Sequence, residues 1–427
     1  MKLRQYTYLM ITISVLCYTP LVFSAVIQVP ADQPTIQSGI DAAVNGDTVL
    51  VADGIYKGEG NVNIDFNGKK IIVKSQNGPK ETIIDSEENV ETRGFTFQND
   101  ETRDSVLDGF TIKNGNHQYS GGIYGSFSSP TIKNCIITGN HGSGVYLSGG
   151  LRFDAGSPNP ILIDCIISDN VNHGVYSLDH LIIEIKGCTI SRNSGRGVVF
   201  TENYSIKNNI ITDSIIEQNG KGGIELSTNS NLKITDSIVS QNTGDVGGGI
   251  TCSRTCTLDI SKCLITDNTA NRWGGGLGLE SWSGSVTISY STISQNSAGT
   301  KGGGIYFSST PANSNVLSIT NSIVWNNNSD DTHPEAFLSG NGITIKSSDI
   351  KDGLQGIKRV ADGKLFVYED NIDTDPLFVN AEDGDYNLKP NSPAAAMGAH
   401  AIVNNQLSVN SIGKKYVQWG EIKKRKH

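Results

Sequence analysis

"NSAGTKGGGIYF", residues 296–307, sets three consecutive glycines directly before an apolar pair flanking a tyrosine. The phrase returns with small changes as "NTANRWGGGLGL" from Asn268, "NTGDVGGGITC" from Asn242 and "NGKGGIEL" from Asn219, so one motif is copied along the chain. Aligning the copies on their asparagine gives Asn140, Asn170, Asn193, Asn219, Asn242, Asn268, Asn296 and Asn327, at intervals of 23 to 31 residues. A period that varies within such limits suits a solenoid whose coils differ in their loops. Each unit holds segments such as "VTIS" (286–289), "STISQN" (291–296) and "GGGIYF" (302–307). These are too short and too β-branched for helices and predict three short strands per coil, in about ten to twelve coils.

Alternation along each strand assigns the sides. Ile288, Ile293, Ile305 and Phe307 point inward in one coil, and Ile260, Ile265, Leu277 and Leu279 in the coil before it, so aliphatic side chains stack into interior ladders. The repeated asparagine stands where the chain turns between strands. There its amide can stack on the next coil's and satisfy turn groups left without partners. Glycine at the corner supplies positive φ and close backbone approach.

The repeat resembles the right-handed parallel β-helix of the pectin-lyase-like superfamily, in its secreted bacterial form. "VPADQPTIQSGIDAAVNGDTVLVADGIYKG" (29–58) resembles the N-terminal cap and first coil of such proteins, and "DTDPLFVNAEDGDYNLKPNSPAAAMGAH" (373–400) resembles a terminal segment common among them. The closing "YVQWGEIKKRKH" departs from that pattern. The resemblance implies an all-β, single-stranded right-handed solenoid; the same scaffold carries lyases, hydrolases, esterases, epimerases and non-catalytic adhesins, so it does not imply one activity. The expected organisation is a secretory leader over 1–25, a parallel β-helix with its N-terminal cap over 26–350, a C-terminal cap over 351–400 and a basic polar tail over 401–427. The leader reading rests on a basic start, an apolar stretch from Tyr8 to Phe23 and small residues at Ser24 and Ala25. Within the cap, "TIQSGIDAAV" (35–44) reads as a short helix with Ile36 and Ile40 on one face.

Charge narrows the partners. The formal net charge is −9, made of +5 in residues 411–427, +2 at Lys2 and Arg4, and −16 between them. An acidic body argues against a nucleic-acid groove, and no later apolar run reaches the roughly 20 residues of a spanning helix. An exported or surface-held chain that meets an extracellular polysaccharide is the expected setting.

Outward positions carry the candidate site. Tyr124, Tyr146 and Tyr176 point out of three consecutive coils, followed by Val199, Glu225, Thr251, Gly278 and Tyr306. Beside them the turn into the strand offers His173, Arg196, Lys221, Arg272 and Lys301, a basic column interrupted near Asp245. Aromatic groups with neighbouring cations suit a linear acidic glycan, and Tyr124, Tyr146, Tyr176, His173, Arg196 and Glu225 form the expected binding set. The alternative is a cross-strand tyrosine ladder with ordinary turn cations. Arg152 and Asp154, in the insertion over 148–160, are the one pair placed to reach over such a groove as base and metal ligand. Asp169 and Asp267 occupy equivalent places four coils, about 20 Å, apart, too far for the paired carboxylates of sugar hydrolysis. Catalysis stays unassigned: cleavage or modification of the glycan by a lyase-like or epimerase-like reaction stands beside a non-catalytic adhesion or spacer role.

Two further features need an outcome. A second outward stripe, Ile136, Ile166, Ile215, Ile238, Leu264 and Ile323, broken by Thr189 and Thr292, should be covered by the chain's own loops or terminal segments, or by a partner. Cys135, Cys165, Cys188 and Cys263 share an inward position with serines of other coils and read as free buried thiols, whereas Cys252 and Cys256 are placed for a disulfide. No cofactor is expected. Asp373, Asp375, Asp383 and Asp385 are the acidic group that calcium could use, with turn formation as the competing role.

Overall fold

The computed structural model describes residues 24–150, 158–201, 208–309, 316–340, 342–360 and 365–399. Over these residues the chain winds as a parallel β-solenoid with three faces. In the coil around the opening motif the first face takes Ser285–Ser289, the second Thr292–Ser294 and the third Ile305–Ser309. The second face has twelve strands in strict chain order, from Gly54–Tyr56 to Asp349–Ile350. Twelve coils at about 4.8 Å each stack to roughly 55–60 Å. First and third faces are joined into one sheet by Ile250–Ser261, which runs unbroken from one face onto the other.

The side assignment from alternation holds. Ile260, Ile265, Leu277, Leu279, Ile288, Ile293, Ile305 and Phe307 are all fully or almost fully buried in one continuous core. At the open N-terminal end the helix Ile36–Ala42 lies across the stack with Ile36 and Ile40 buried, and its start is closed by a reciprocal capping box between Thr35 and Ser38. Gly39 lets it lie close, since a Cβ there would stand 2.9 Å from Val29 Cγ2 and Val49 Cγ1.

All eight asparagines stack in one buried column. At each rung the backbone N–H and the Nδ2 of one asparagine donate to Oδ1 of the next; for Asn242 onto Asn268 both distances are 3.0 Å. Nδ2 also reaches back to a carbonyl of the preceding coil, Ile216 O for Asn242 at 2.9 Å. The opening glycines are explained by this column. Gly302 holds φ +59° at the corner, a Cβ on Gly303 would lie 2.1 Å from Asn328 O, and a Cβ on Gly304 would lie 2.8 Å from Asn327 Nδ2. The last glycine of the motif thus makes room for the next coil's amide, as Gly249 does for Asn268 and Gly276 for Asn296. A second inward ladder runs through the serines that share the cysteine position, with Ser214 N donating to Ser237 Oγ at 3.2 Å and Ser291 N to Ser322 Oγ at 3.2 Å. Cys135, Cys165, Cys188 and Cys263 are free and buried within this row, and Cys252 is bonded to Cys256.

The stripe on the second face is covered over its distal half by the chain itself. The antiparallel pair Phe378–Asn380 and Asp385–Leu388 packs Phe378 and Tyr386 against Ile238 and Leu264, and Ala399 N donates to Thr292 Oγ1 at 3.0 Å. The nearer residues Ile136, Ile166 and Ile215 keep part of their surface exposed. The acidic group of this segment forms turns: Asp375 Oδ1 accepts from Leu377 N, Asp385 Oδ1 from Asn387 N and Asp383 Oδ2 from Asn380 Nδ2. No cluster of three or more His, Cys, Asp or Glu suited to a metal is found among the described residues.

Candidate functional site

The third face carries the candidate residues, because its strands leave a row of outward side chains in register along the axis. Tyr124 pairs with Tyr146, Tyr146 with Tyr176, Tyr176 with Val199 and Val199 with Glu225. Two residues further along each strand a parallel row is rich in hydroxyls, with Ser126 beside Ser148 and Ser227 beside Ser253. Loops from this face to the first vary in length, from a direct run at Ile250–Ser261 to the stretch between Ser148 and Ile161.

The three tyrosines stack on one another. Tyr124 and Tyr146 have ring centroids 5.8 Å apart at 8°, Tyr146 and Tyr176 5.3 Å apart at 6°. Parallel rings this close overlap with an offset rather than lie edge to edge, so their faces are turned largely toward one another. The two ends are also occupied: the Arg93 guanidinium lies 4.5 Å from the Tyr124 centroid, and His173 tilts against Tyr176 at 5.3 Å. What the row offers outward is ring edges and phenol hydroxyls. All three tyrosines are half-buried, and burial, with the neighbouring tyrosines second, pushes the Tyr146 phenol up to about 12, so it remains a neutral donor at any physiological pH.

Around this row the charges are mostly paired. Arg196 Nε meets Glu225 Oε2 at 2.6 Å, so these two expected binding residues neutralise each other. Arg196 N donates to His173 Nδ1 at 3.1 Å, which leaves the imidazole proton on Nε2. Burial, reinforced by Arg196 and Lys221, lowers His173 to about 4; it is an uncharged N–H donor near neutral pH. His117 is held similarly, its Nδ1 accepting from Tyr119 N at 3.3 Å and its Nε2 facing Glu91 at 3.1 Å. Arg272 pairs with Asp245 at 2.6 Å and lies over Trp273, and Lys301 lies over Phe337 at 4.7 Å. These last two cations cap a second aromatic stack, Trp273, Tyr306 and Phe337, in which Tyr306 and Phe337 are buried. That stack is mainly packing, with only Trp273 partly exposed.

Arg93 stands apart from Arg196 and Arg272, which are ion-paired. No carboxylate among the described residues lies within 4 Å of it, although it is partly buried and burial lowers its pKa. Its place was readable: Arg93-Gly94 in "RGFT" stands three residues before the outward position, as His173-Gly174 and Arg196-Gly197 do in "HGVY" and "RGVV". The asparagine alignment starts later, at Asn140, and so passes over this coil. Tyr119 and His117 also join the row without having been singled out, since they sit in an extended turn with no counterpart in other coils. Arg152 and Asp154 lie outside the described residues, as does the basic tail. Asp169 is engaged by Arg192 at 2.8 Å through both oxygens, and Asp267 accepts from the Tyr386 hydroxyl at 3.5 Å. Both are structural.

The model of the right-handed β-helix region matches the chain over residues 57–211 and 179–351. No curated protein matches the sequence. Among solved structures similar to the chain are pectate lyase Pel9A, 14% identical over 87% of this chain and 90% of that one with a TM-score of 0.46, and the A-module of the Azotobacter vinelandii mannuronan C-5 epimerase AlgE6, 14% identical over 80% and 94% with a TM-score of 0.37. A PL6 family alginate lyase, AlyGC, is 11% identical over 93% and 59% with a TM-score of 0.39. At such identities the likeness is one of fold alone. No helix among the described residues is long and apolar enough to cross a membrane.

Proposed function

The chain belongs to the right-handed β-helix region family, and from that premise we propose that it binds an extracellular acidic polysaccharide along its third face. The observation that carries the reading is the tyrosine row with an arginine at its end that makes no ion pair within contact distance among the described residues, Glu91 acting on it only from further off. A row of hydroxyl edges one strand spacing apart, about the length of one sugar residue, can hydrogen-bond successive units of a chain lying along the rod. A guanidinium beside the row gives a carboxylate a bidentate partner. His173 adds a neutral donor, and the Arg196–Glu225 pair a polar floor that carries no net charge.

Binding of oligouronates to the wild-type protein, Arg93→Gln and Tyr146→Phe tests it. Arg93→Gln should weaken binding about tenfold or more at low salt, because a charge-assisted hydrogen bond is worth about 1.5–3 kcal/mol, and it should flatten the salt dependence. Its melting temperature should stay near wild type, since no ion pair is lost. Tyr146→Phe keeps the stack and removes the hydroxyl, for a loss of roughly three- to fivefold. Equal affinity in all three proteins, or no binding by any, sinks the groove and leaves a surface-adhesion role ahead. Among the described residues no set supports cleavage or epimerisation, and Arg152 and Asp154 lie outside them.

A further inference from the structure

The segment after the last coil crosses the outer side of the second face and is held at separate points. Ile372 closes the coil stack by bridging to Asp349. Beyond it the chain leaves the sheet: Thr374 N donates to Asp349 Oδ1 at 3.3 Å, the Phe378 and Tyr386 rings pack on Ile238 and Leu264, and Gly398 N donates to Asn321 O at 2.9 Å. Gly398 has φ +74°, and a Cβ there would stand 2.7 Å from Ile323 Cδ1, so this last contact fits only a glycine.

Beneath the start of the segment lies Asp349. It occupies the outward column after Ile323, the place an isoleucine or threonine takes in earlier coils, and it is fully buried. One oxygen has the Thr374 bond; Oδ2 has no hydrogen-bond partner. The acidic groups acting on it are Asp373 and Asp375, both at the start of the segment above, and both raise its pKa. The Tyr368 phenol is the other titratable group in its surroundings, itself pushed up by burial and by Asp373 and Asp349. Lys351, two residues away, is turned to Asn326 Oδ1 at 2.7 Å. A neutral carboxyl fits this place. A carboxylate would be buried with one oxygen unpaired and two like charges beside it.

We propose that residues 373–399 form a strap that stays closed over the second face while Asp349 is protonated and lifts when Asp349 ionises. Lifting hydrates the carboxylate, separates it from Asp373 and Asp375, and uncovers Ile238, Leu264 and Ile323. The apolar column then becomes continuous with the part-exposed Ile136, Ile166 and Ile215, so the device controls how much of that face is open to other surfaces. Burial, with Asp373 and Asp375 adding, raises Asp349 to about 7 in the closed form, whereas an open, hydrated Asp titrates near its ordinary value. Opening therefore grows with pH between about 4 and about 7, up to tenfold per unit, and levels off above.

Hydrogen exchange of the full-length protein, followed on peptides covering 373–399 and corrected for intrinsic rates, reads this directly. Protection of the strap should fall at least tenfold between pH 5 and pH 7 and then plateau, while peptides of the coil interior stay protected. Asp349→Asn, which keeps the shape and cannot ionise, should give a flat profile. Should that variant fail to fold, Asp373→Asn combined with Asp375→Asn leaves Asp349 in place and should shift the plateau to lower pH. A wild-type profile with no pH dependence, or the same dependence in Asp349→Asn, overturns the proposal.

Discussion

Replacing Asn242 with Leu should lower stability by about 4 kcal/mol. The figure comes from what the amide does. Its Oδ1 accepts from Asn219 N and Asn219 Nδ2, both at 3.0 Å, and its Nδ2 donates to Ile216 O at 2.9 Å and Asn268 Oδ1 at 3.0 Å. Leucine is similar in size but leaves Asn219 N and the carbonyl of Ile216 without their amide partner in a fully buried place, and each such group costs about 1–3 kcal/mol, while Asn219 Nδ2 keeps Ile190 O and Glu217 O, both at 3.1 Å. Asn268 Oδ1 keeps the Asn242 backbone N–H, so it is only partly orphaned. Because each coil touches only its neighbours, the loss should centre on the coils of Asn219 and Asn268. Hydrogen exchange of those coils, with the thermal midpoint of the whole chain, measures it; a midpoint within a degree of wild type would show that the ladder contributes little.

How much of this was legible follows from what a repeat can and cannot encode. The asparagine column was readable because the same residue recurs at a turn in eight coils, and a buried turn needs a side chain that both donates and accepts. Alternation placed Tyr124, Tyr146 and Tyr176 on one outward row, and the register bears that out. It could not give the plane of the rings, which depends on packing between coils, so the picture of ring faces open to sugars gives way to one of ring edges. The basic column was readable as residue types, but not that Arg196 pairs with Glu225, Arg272 with Asp245, and that Lys301 stacks on Phe337, because those partners lie 27 to 36 residues away in sequence. Cover of the aliphatic stripe by a terminal segment was expected; Ile238, Leu264 and Ile323 are buried, Ile215 packs at the edge of that cluster, and Ile136 and Ile166 stay partly exposed.

Least legible of all was the end of the ladder, and it carries the second large effect. Asn327 is the last asparagine. Its Nδ2 donates to Glu335 Oε2 at 2.6 Å and its N–H lies 3.3 Å from Oε1, so a carboxyl fills the place of a ninth Oδ1. Glu335 immediately precedes Ala336, which pairs with Ile305, and so stands where Gly276 and Gly304 stand in their own coils. Those glycines exist to clear an asparagine in the coil that follows. Past Asn327 no further rung follows, the need for glycine lapses, and the side chain at that position can turn in and close the column.

Closing it with an acid has a consequence for pH. Glu335 is fully buried, and burial, opposed by the Asn327 hydrogen bonds and by Lys351 and reinforced by Asp352, raises its carboxyl to about 8. The folded chain thus holds a proton that the unfolded chain releases near pH 4.5. Between those values the folded state binds more protons than the unfolded one, so stability falls as pH rises from about 4.5 to about 8 and is level above, with a ceiling of about 5 kcal/mol. Glu335→Gln removes the titration and keeps one oxygen for Asn327 Nδ2. At pH 5 the variant should be slightly less stable, by about 1 kcal/mol for the weakened bond to Asn327 N. At pH 8.5 the order should reverse, with the variant more stable by several kcal/mol; the difference between the two proteins follows the Glu335 titration, while Asp349 and His173 titrate alike in both. Denaturation of both proteins at pH 5, 7 and 8.5 measures the crossing. Parallel curves for the two proteins would mean that water or a cation meets the carboxylate at the column's end and that the ladder closes on a charge after all.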